Sequence, residues 1–484
     1  MNYEKSKDAL LGIYLDDFKH IHLTLLENKG GTFMRPNIIF YFTDQQRADT
    51  CGCYGQPLSI TPYLDKLAKE GVKFNRAFTP QPVCGPCRAM FQTGKYATEL
   101  GCYRNNIMLP DNVKTVANYL EESGYETAYI GKWHLASNGG YGLLPEIDHT
   151  ITPVPKELRG GYSGFWRAAD VLEFTSHGYD GYVYNENNER VDFTGYRVDC
   201  ITDMALEFFD VRDTQKPFFM TISHIEPHHQ NDRMHYEGPD GSKEEFKDFV
   251  LPKDLEVLQG DAAREYPDYL GACASLDKNL GKLIAKLKEK GLYDNTIIIF
   301  SSDHGSHFQT RNRDAHRFGG DDYKRTCHAA ATHVPLVIAG GAYAGGKEVD
   351  DMVSTASLPK TILAMAGIEV GDAMVGENLL DVVEHRLPDR ADEVFIQISE
   401  SRVGRCIRTK EYCYSVYAPG KDGNLYAGSD VYADDFLYDL TKDPYEFNNV
   451  VEDEAYTEIK LALRERLADW IEQVEGSRPQ IENA

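Results

Sequence analysis

The sequence predicts an α/β fold: a large, mainly parallel sheet sandwiched by helices, followed by a smaller C-terminal α+β subdomain that contains an antiparallel sheet. Short apolar runs alternate with helical patterns through residues 35–385, as is typical of strands joined by crossover helices. The run 36–43, PNIIFYFT, is apolar almost throughout, which is expected of a strand covered on both faces. Polar residues follow directly after several of these runs, so we expect a polar site at one edge of the sheet.

The elements can be placed in order along the chain. Residues 5–27 repeat apolar side chains at helical spacing before Gly30 and Gly31, which predicts an N-terminal helical extension over 1–34. Further strands are predicted at 127–130, 217–222, 296–300 and 334–338, and helices at 62–70, 112–123, 197–210, 265–290 and 357–366. In the C-terminal subdomain, 386–484, antiparallel strands are predicted at 393–399, 405–408, 412–417 and 435–440, with a helix over roughly 453–474.

Composition and charge exclude several classes of protein. A chain of 484 residues can bury a core without disulfide or metal staples. Its 76 acidic and 51 basic residues give a net charge of −25, which argues against a partner that is a nucleic acid or an anionic membrane. No apolar run is long enough for a membrane span, and the N-terminus does not resemble a signal peptide. We therefore expect a cytoplasmic protein with mostly free thiols, and the sequence leaves a homo-oligomer open.

Four predicted strands are followed by residues that bind metals or move protons. These residues are Asp44 and Gln45, Lys132 and His134, His224 and His228, and Asp303 and His304. In open parallel sheets, ligands bind at the carboxyl ends of the strands. Four such ends together describe a polar site rather than a core. A zinc site on His224 and His228 is disfavoured, because Pro227 between them interrupts a helix.

The segment 84–88, CGPCR, is the sharpest local motif. Pro86 suits the first turn of a helix, which places Cys84 at or near the N-cap and Arg88 on the same face. Backbone N–H groups, the positive end of the helix dipole and a guanidinium then converge on one sulfur, as suits a nucleophile attacking an anion. Taken alone, CGPC is also the thioredoxin-type redox motif, but Val83 stands where that motif usually has Trp.

Residues 35–370 resemble the type I, formylglycine-dependent sulfatases of the alkaline phosphatase superfamily, with the motifs in that family's order. The matching segments are RPNIIFYFTDQQR (35–47), TPYLDKLAKEGVKFNRAF (61–78), CGPCRAMFQTG (84–94), GKWHL (131–135), PH (227–228), SSDHG (301–305) and Lys324 eleven residues before Pro335. Further along the chain, LYDLTKDPYEFNN (437–449) resembles the family's closing motif. The resemblance implies an alkaline-phosphatase-like fold and hydrolysis of an organic sulfate ester to an alcohol and inorganic sulfate.

The resemblance also implies roles for individual residues. The cysteine at the position of Cys84 is converted to formylglycine (3-oxoalanine), whose hydrate supplies the nucleophile, so a formylglycine-generating maturation enzyme is an expected partner. Arg88 would hold the hydrate, and Lys132 and Lys324 would bind the sulfate. His134 would partner the formylglycine hydroxyl, and His228 would face the leaving oxygen. The ligands of one divalent cation would be Asp44, Gln45, Asp303 and His304.

Two positions depart from the family's commonest pattern. Gln45 stands for an Asp and His304 for an Asn. This ligand set favours Ca²⁺ and leaves Mn²⁺ or Mg²⁺ open. The same Gln and His pair occurs in the related phosphonate monoester hydrolases and phosphodiesterases, which are the alternative function.

The expected substrate is a sulfated sugar, because the segments around the entrance are rich in Arg, His, Asn and Asp; an aryl sulfate is the other sulfate ester considered. Candidate substrate contacts are Asn105, Asn106, His224, Arg311 and His328. A third hypothesis is a protein that binds sulfated ligands without catalysis. The complete set of candidate catalytic and metal-binding residues argues against it. The other cysteines, among them Cys327, Cys406 and Cys413, are most simply explained as packed thiols.

Overall fold

The computed structural model describes residues 26–27, 33–139, 147–313 and 323–483. The helix predicted over 5–27 lies outside these residues, apart from its last two. Those two, Leu26–Glu27 (β1), pair antiparallel with Phe33–Met34 (β2).

A ten-stranded sheet forms the centre of the described chain. Its strands are β3 Asn37–Thr43, β4 Val72–Phe78, β5 Glu126–Lys132, β6 Phe165–Ala169, β7 Asp180–Asn185, β8 Arg190–Thr194, β9 Phe218–Ser223, β10 Thr296–Ser302, β11 Leu336–Ala339 and β12 Lys347–Ser354. Their order across the sheet is β12-β4-β11-β10-β3-β9-β5-β6-β7-β8. The central strands β10, β3, β9, β5 and β6 are all parallel. This confirms the large, mainly parallel sheet.

The edges of the sheet are less regular than its centre. β11 runs antiparallel to both of its neighbours, and β6, β7 and β8 form an antiparallel meander. The run 334–338 is therefore a strand as predicted, but an antiparallel one. The sequence analysis missed β4, β7, β8 and β12 because their residues are only partly buried and lack a continuous apolar run, and it missed β6, which is buried but only five residues long.

Helices cover both faces of the sheet. They are Pro62–Glu70, Cys84–Thr93, Ala97–Leu100, Val116–Glu122, Leu172–Thr175, Arg197–Val211, Ser242–Glu245, Lys253–Leu258, Ala262–Glu289, Ala329–Thr332, Leu358–Met365 and Leu379–Val383. Alternate residues of β3 enter two separate cores: Phe40 packs with the helix Cys84–Thr93, and Tyr41 with the helix Pro62–Glu70. Burial on both faces explains why this strand is apolar throughout.

The C-terminal part forms a second, five-stranded sheet. Its strands are β13 Glu393–Ile398, β14 Gly404–Thr409, β15 Tyr412–Tyr417, β16 Val431–Asp439 and β17 Gln480–Glu482. The first four are antiparallel, as predicted, and β17 adds in parallel. The helix Thr457–Glu475 packs on this sheet through Leu463, Leu467 and Ile471. The domain boundaries at 34/35 and 385/386 stay predictions.

None of the helices in the described ranges has both the length and the apolar character that a bilayer crossing requires.

Candidate active site

Cys84 is the first residue of a fully buried helix, Cys84–Thr93, one position after its N-cap Val83. Lys324 Nζ donates to its sulfur at 3.0 Å, and His304 Nε2 and Asp44 Oδ1 lie 3.3 and 3.4 Å from it. Burial opposes ionisation, but Lys132, Lys324 and His304 hold the pKa of the Cys84 thiol well below its usual range. The fold therefore favours negative charge at this position.

The second cysteine of the motif has a different environment. Cys87 Sγ lies 3.3 Å from Thr79 Oγ1, and burial raises the pKa of the Cys87 thiol. All ten cysteines of the chain lie in the described ranges, and all are free thiols. The structure thus gives no support to a redox pair of Cys84 and Cys87.

Arg88 connects two strand ends beneath the sulfur. Its Nη2 donates to Asp44 Oδ2 at 2.9 Å and lies 3.3 Å from Asp303 Oδ2. Its Nη1 donates to the Lys132 carbonyl at 2.8 Å and to Ser223 Oγ at 2.6 Å. This fork of charged hydrogen bonds fixes the two carboxylates relative to each other.

Lys132 reaches the same carboxylate from β5. Its Nζ donates to Asp44 Oδ2 at 2.8 Å. Burial and the Cys84 thiolate oppose ionisation of Asp44, but Lys132 and its other cationic neighbours hold the pKa of that carboxyl well below its usual range. A β-carbon at Gly131 would lie 2.0 Å from the Ser223 carbonyl oxygen, so only glycine allows β5 this close approach just before Lys132.

Asp44, Asp303, His304 and Cys84 each bring one ligand atom within 4.8 Å of the others. The His304 Nδ1–H donates to the Gly305 carbonyl at 3.0 Å, which leaves a lone pair on Nε2. That Nε2 faces Asp44 Oδ1 at 3.5 Å and Asp303 Oδ1 at 3.6 Å. Asp303 Oδ2 is buried without a hydrogen bond, and burial together with Asp44 raises the pKa of Asp303 to about 6. Such a crowded, electron-rich set suits a cation.

Gln45, the fourth predicted metal ligand, takes a left-handed backbone conformation with φ 69°. Its backbone N–H donates to Asp303 Oδ1 at 3.1 Å, and its side-chain oxygen accepts a hydrogen bond from the His229 N–H at 3.1 Å. The residue therefore lies at the predicted site, with one lone pair of its amide oxygen in use.

The two predicted catalytic histidines approach from different strand ends. His228 donates from Nδ1 to the His229 carbonyl at 2.6 Å and accepts at Nε2 from Lys324 Nζ at 3.0 Å. Burial and Lys324 lower the pKa of His228. A hydrogen bond from His134 favours the Cys84 thiolate. The ammonium of Lys324 thus lies between the Cys84 sulfur and the His228 ring.

A polar cavity of about 50 Å³ opens above the sulfur. The predicted residues that line it are Gln45, Cys84, Asn105, Lys132, His134, His228 and Lys324. Asn105 also caps the helix, since its Oδ1 accepts from the Gly85 N–H at 2.9 Å.

Four predicted substrate contacts do not line this cavity. Asn106 is held at φ 58°, and its carbonyl accepts from the Gly139 N–H. His224 is fully buried against Tyr41, with ring centroids 4.9 Å apart. Arg311 donates to the Glu446 and Tyr445 carbonyls, and His328 lies 3.0 Å from the Tyr438 hydroxyl, so both contact the C-terminal subdomain. The structure thus places these four side chains away from the cavity, and their contact with substrate stays a prediction.

Four further residues line the cavity: Glu173, Asn231, Tyr323 and Arg325. The sequence analysis missed Glu173. Glu173 Oε2 lies 3.5 Å from His228 Nδ1 and 4.0 Å from Lys132 Nζ. Burial opposes its ionisation, but His228 and Lys132 hold the pKa of Glu173 below its usual range. Glu173 follows β6, a strand that the apolar pattern did not show.

Known proteins resemble this chain over most of its length. The family model Sulfatase matches residues 36–368, and N-sulphoglucosamine sulphohydrolase, C-terminal, matches 319–473. An ulvan-active sulfatase of Formosa agariphila is 28% identical over 444 residues, which cover 86% of this chain and 77% of the relative. An N-acetylglucosamine-6-O-sulfatase of Bacteroides thetaiotaomicron is 25% identical over 533 residues, 92% of this chain and 88% of the relative.

Among solved structures, a protein in complex with its substrate D-glucosamine-2-N,6-O-disulfate aligns with a TM-score of 0.72 and 23% identity, over 92% of this chain and 99% of that one. At this identity the likeness shows the fold. The fold and a polar cavity lined by Lys132 and Lys324 are consistent with a hydrolase of anionic esters. The chain belongs to the sulfatase family, whose members are sulfuric ester hydrolases.

Proposed function

We propose that this chain hydrolyses the sulfate ester of a small sulfated sugar, with Cys84 as the precursor of the catalytic formylglycine. The observation that carries the proposal is the contact of Cys84 Sγ with Lys324 Nζ at 3.0 Å, beside Asp44 and His304, under a polar cavity. The named relatives that act on ulvan and on N-acetylglucosamine sulfate support the sugar as substrate class.

The size and charge of the cavity support this substrate. About 50 Å³ holds a few water molecules, so it accommodates a tetrahedral sulfate group while the alcohol part extends outward. Lys132 and Lys324 are both buried with raised pKa values, Lys132 chiefly through Asp44 and Lys324 chiefly through Cys84, against the opposing effect of burial. Two fixed ammonium groups neutralise the nonbridging oxygens, on which charge develops in the transition state.

A divalent cation fits the set of Asp44, Gln45, Asp303 and His304, because Asp303 Oδ2 makes no hydrogen bond and His304 Nε2 faces two carboxylate oxygens. Ca²⁺ is the proposed ion, with Mn²⁺ and Mg²⁺ as alternatives. Bound there, the cation would supply Lewis acidity to the sulfate oxygens and acidify the nucleophile.

Formylglycine at position 84 would supply a hydrate with two hydroxyl groups, one to attack sulfur and one to release sulfate afterwards. Neighbouring residues of the chain position residue 84 and favour negative charge on it. Gly85 is fixed by Asn105, and the helix N-terminus favours an oxyanion at residue 84. Arg88 holds Asp44 and Asp303 in register beneath it.

Proton transfer to the leaving alcohol falls to His228 in this proposal. Its Nδ1–H is fixed by the His229 carbonyl, so Nε2 faces the cavity beside Lys324. Burial and Lys324 lower the pKa of His228, and Glu173, 3.5 Å from Nδ1, opposes that lowering and so favours the protonated ring that can donate from Nε2. Glu173 is thus a positioning residue, and it also keeps the leaving-group side of the cavity from being uniformly positive.

The experiment compares ester classes on protein produced together with a formylglycine-generating enzyme. The expected result is that kcat/KM for glucosamine 6-sulfate or an aryl sulfate exceeds kcat/KM for a phosphonate monoester and a phosphate diester. Cys84→Ala should abolish turnover, while Cys200→Ser, at a half-buried thiol on the helix Arg197–Val211, should retain it. A higher kcat/KM for the phosphonate monoester would instead establish the phosphonate hydrolase alternative.

A further inference from the structure

Three cysteines form a second sulfur cluster outside the active site. Cys327 lies just before the helix Ala329–Thr332, Cys406 lies in β14 and Cys413 in β15. Their sulfur atoms all lie within 4.8 Å of one another, and Cys406 Sγ is 3.6 Å from Cys413 Sγ. All three residues are fully buried. The cluster therefore joins two parts of the chain that are far apart in sequence.

The strand register explains how the cluster forms. Cys406 pairs with Ser415, and Cys413 pairs with Arg408, so the two strand cysteines are diagonal neighbours on one face of the sheet. The fully buried Ser415 lies on that face as well, and its hydroxyl is directed at the sulfur of Cys327. An otherwise apolar core thus holds three sulfurs and a hydroxyl together.

The spacing of the sulfurs matches a metal ion rather than a disulfide. A disulfide bond is about 2.05 Å long, well below the 3.6 Å between Cys406 Sγ and Cys413 Sγ. Metal–sulfur bonds of about 2.3 Å place two sulfurs of one site roughly 3.8–4.0 Å apart. Small rotations of the side chains would therefore suffice to bring the three sulfurs around one ion.

The number and type of the ligand atoms indicate which metal ion the cluster would bind. Within the part of the chain that the structure describes, no His, Asp or Glu ligand atom joins the three sulfurs in the same span. Zn²⁺ in structural sites almost always takes four ligands, whereas soft thiolate donors without oxygen favour Cu(I).

We propose that Cys327, Cys406 and Cys413 bind one Cu(I) ion through their three sulfurs. Each thiol that becomes a ligand releases its proton to solvent, and the ion enters as Cu(I), so no electron is transferred. Lys324, three residues before Cys327, donates to Cys84. The ion therefore ties the segment that carries Lys324 to the C-terminal sheet.

Cu(I) competition tests this site. The starting protein carries Cys84→Ala, which removes the sulfur from the active-site cluster of Asp44, Asp303 and His304. It is loaded with Cu(I) under anaerobic conditions and then mixed with the Cu(I) chelator bicinchoninate. We expect one Cu(I) retained per chain, and the same retention in Cys102→Ser, a matched change at a buried thiol that lies outside both clusters. Adding Cys406→Ser and Cys413→Ser should abolish retention. The proposal would be overturned if the variant without Cys406 and Cys413 retained as much Cu(I) as the starting protein, or if the starting protein retained none.

X-ray absorption at the copper edge provides a second test that needs none of the cluster variants to fold. The loaded protein with the three cysteines intact should show a first shell of three sulfurs. A shell dominated by nitrogen or oxygen would place the ion elsewhere and refute the proposal.

Discussion

Replacing Arg88 by Lys tests whether the two carboxylates depend on a forked cation. Arg88 is 1% exposed, and its four contacts are with Asp44, Asp303, Ser223 and the Lys132 carbonyl. A lysine ammonium lacks the fork and can keep about two of these contacts. Hydrogen bonds to charged groups contribute about 1.5–3 kcal/mol each, so the loss of two lowers the free energy of unfolding by about 3–6 kcal/mol.

The assay is urea unfolding in the presence of a metal chelator, with circular dichroism as the signal for unfolding. The matched control is Arg190→Lys, because Arg190 pairs with Asp192 at 2.6 Å with both side chains more than half exposed. The control should change the free energy of unfolding by less than about 0.5 kcal/mol. If the free energy of unfolding of Arg88→Lys lay within about 1 kcal/mol of the parent value, the proposed dependence of the two carboxylates on the forked guanidinium would be refuted.

The remaining predictions address the nucleophile, the sulfate-binding cation, the metal site and a buried histidine. Cys84→Ala should abolish sulfate release while leaving the melting temperature of the metal-free protein close to that of the parent; an active variant would contradict the assigned nucleophile. Lys324→Ala should lower kcat/KM by about 10²–10³-fold, because it removes a preorganised cation from the developing charge, and a loss below tenfold in initial-rate assays would contradict that role. Asp303→Asn should weaken Ca²⁺ binding measured by calorimetry, and unchanged affinity would exclude Asp303 as a ligand. Burial lowers the pKa of His224 to about 3. The unfolded chain, with a pKa near 6.5, therefore takes up a proton that the folded chain excludes, and stability falls as the pH drops below about 6.5. In urea unfolding at pH 5, His224→Leu should remove about 2 kcal/mol of this loss of stability, and KM should be unchanged. An increased KM would indicate that His224 contacts the substrate.

Much of the site could be predicted because its residues follow strands with a strong apolar pattern. β3, β5, β9 and β10 are buried on every face, so their ends were visible in the sequence, and the structure brings Asp44, Lys132, His228 and Asp303 together there. Glu173 and Asp170 follow β6, which is short and was not predicted. Asp170 accepts hydrogen bonds from the Leu135 and Ala136 N–H groups and so shapes the loop after His134.

The predicted substrate contacts that lie away from the cavity share one physical explanation. Spacing along the chain does not reveal which way a side chain turns after a strand. His224 directly follows β9, yet its N–H donates to the Phe42 carbonyl and its ring packs on Tyr41 beneath the sheet. Arg311 and His328 are close in sequence to Asp303 and Lys324, but they contact the C-terminal subdomain. Such long-range contacts leave no local pattern.

The most direct measurement is the rate of sulfate release as a function of the fraction of Cys84 converted to formylglycine, with that fraction determined by mass spectrometry of the peptide. The account predicts a line through the origin, with turnover proportional to the aldehyde content of position 84. Equal turnover by fully converted and unconverted protein would contradict it.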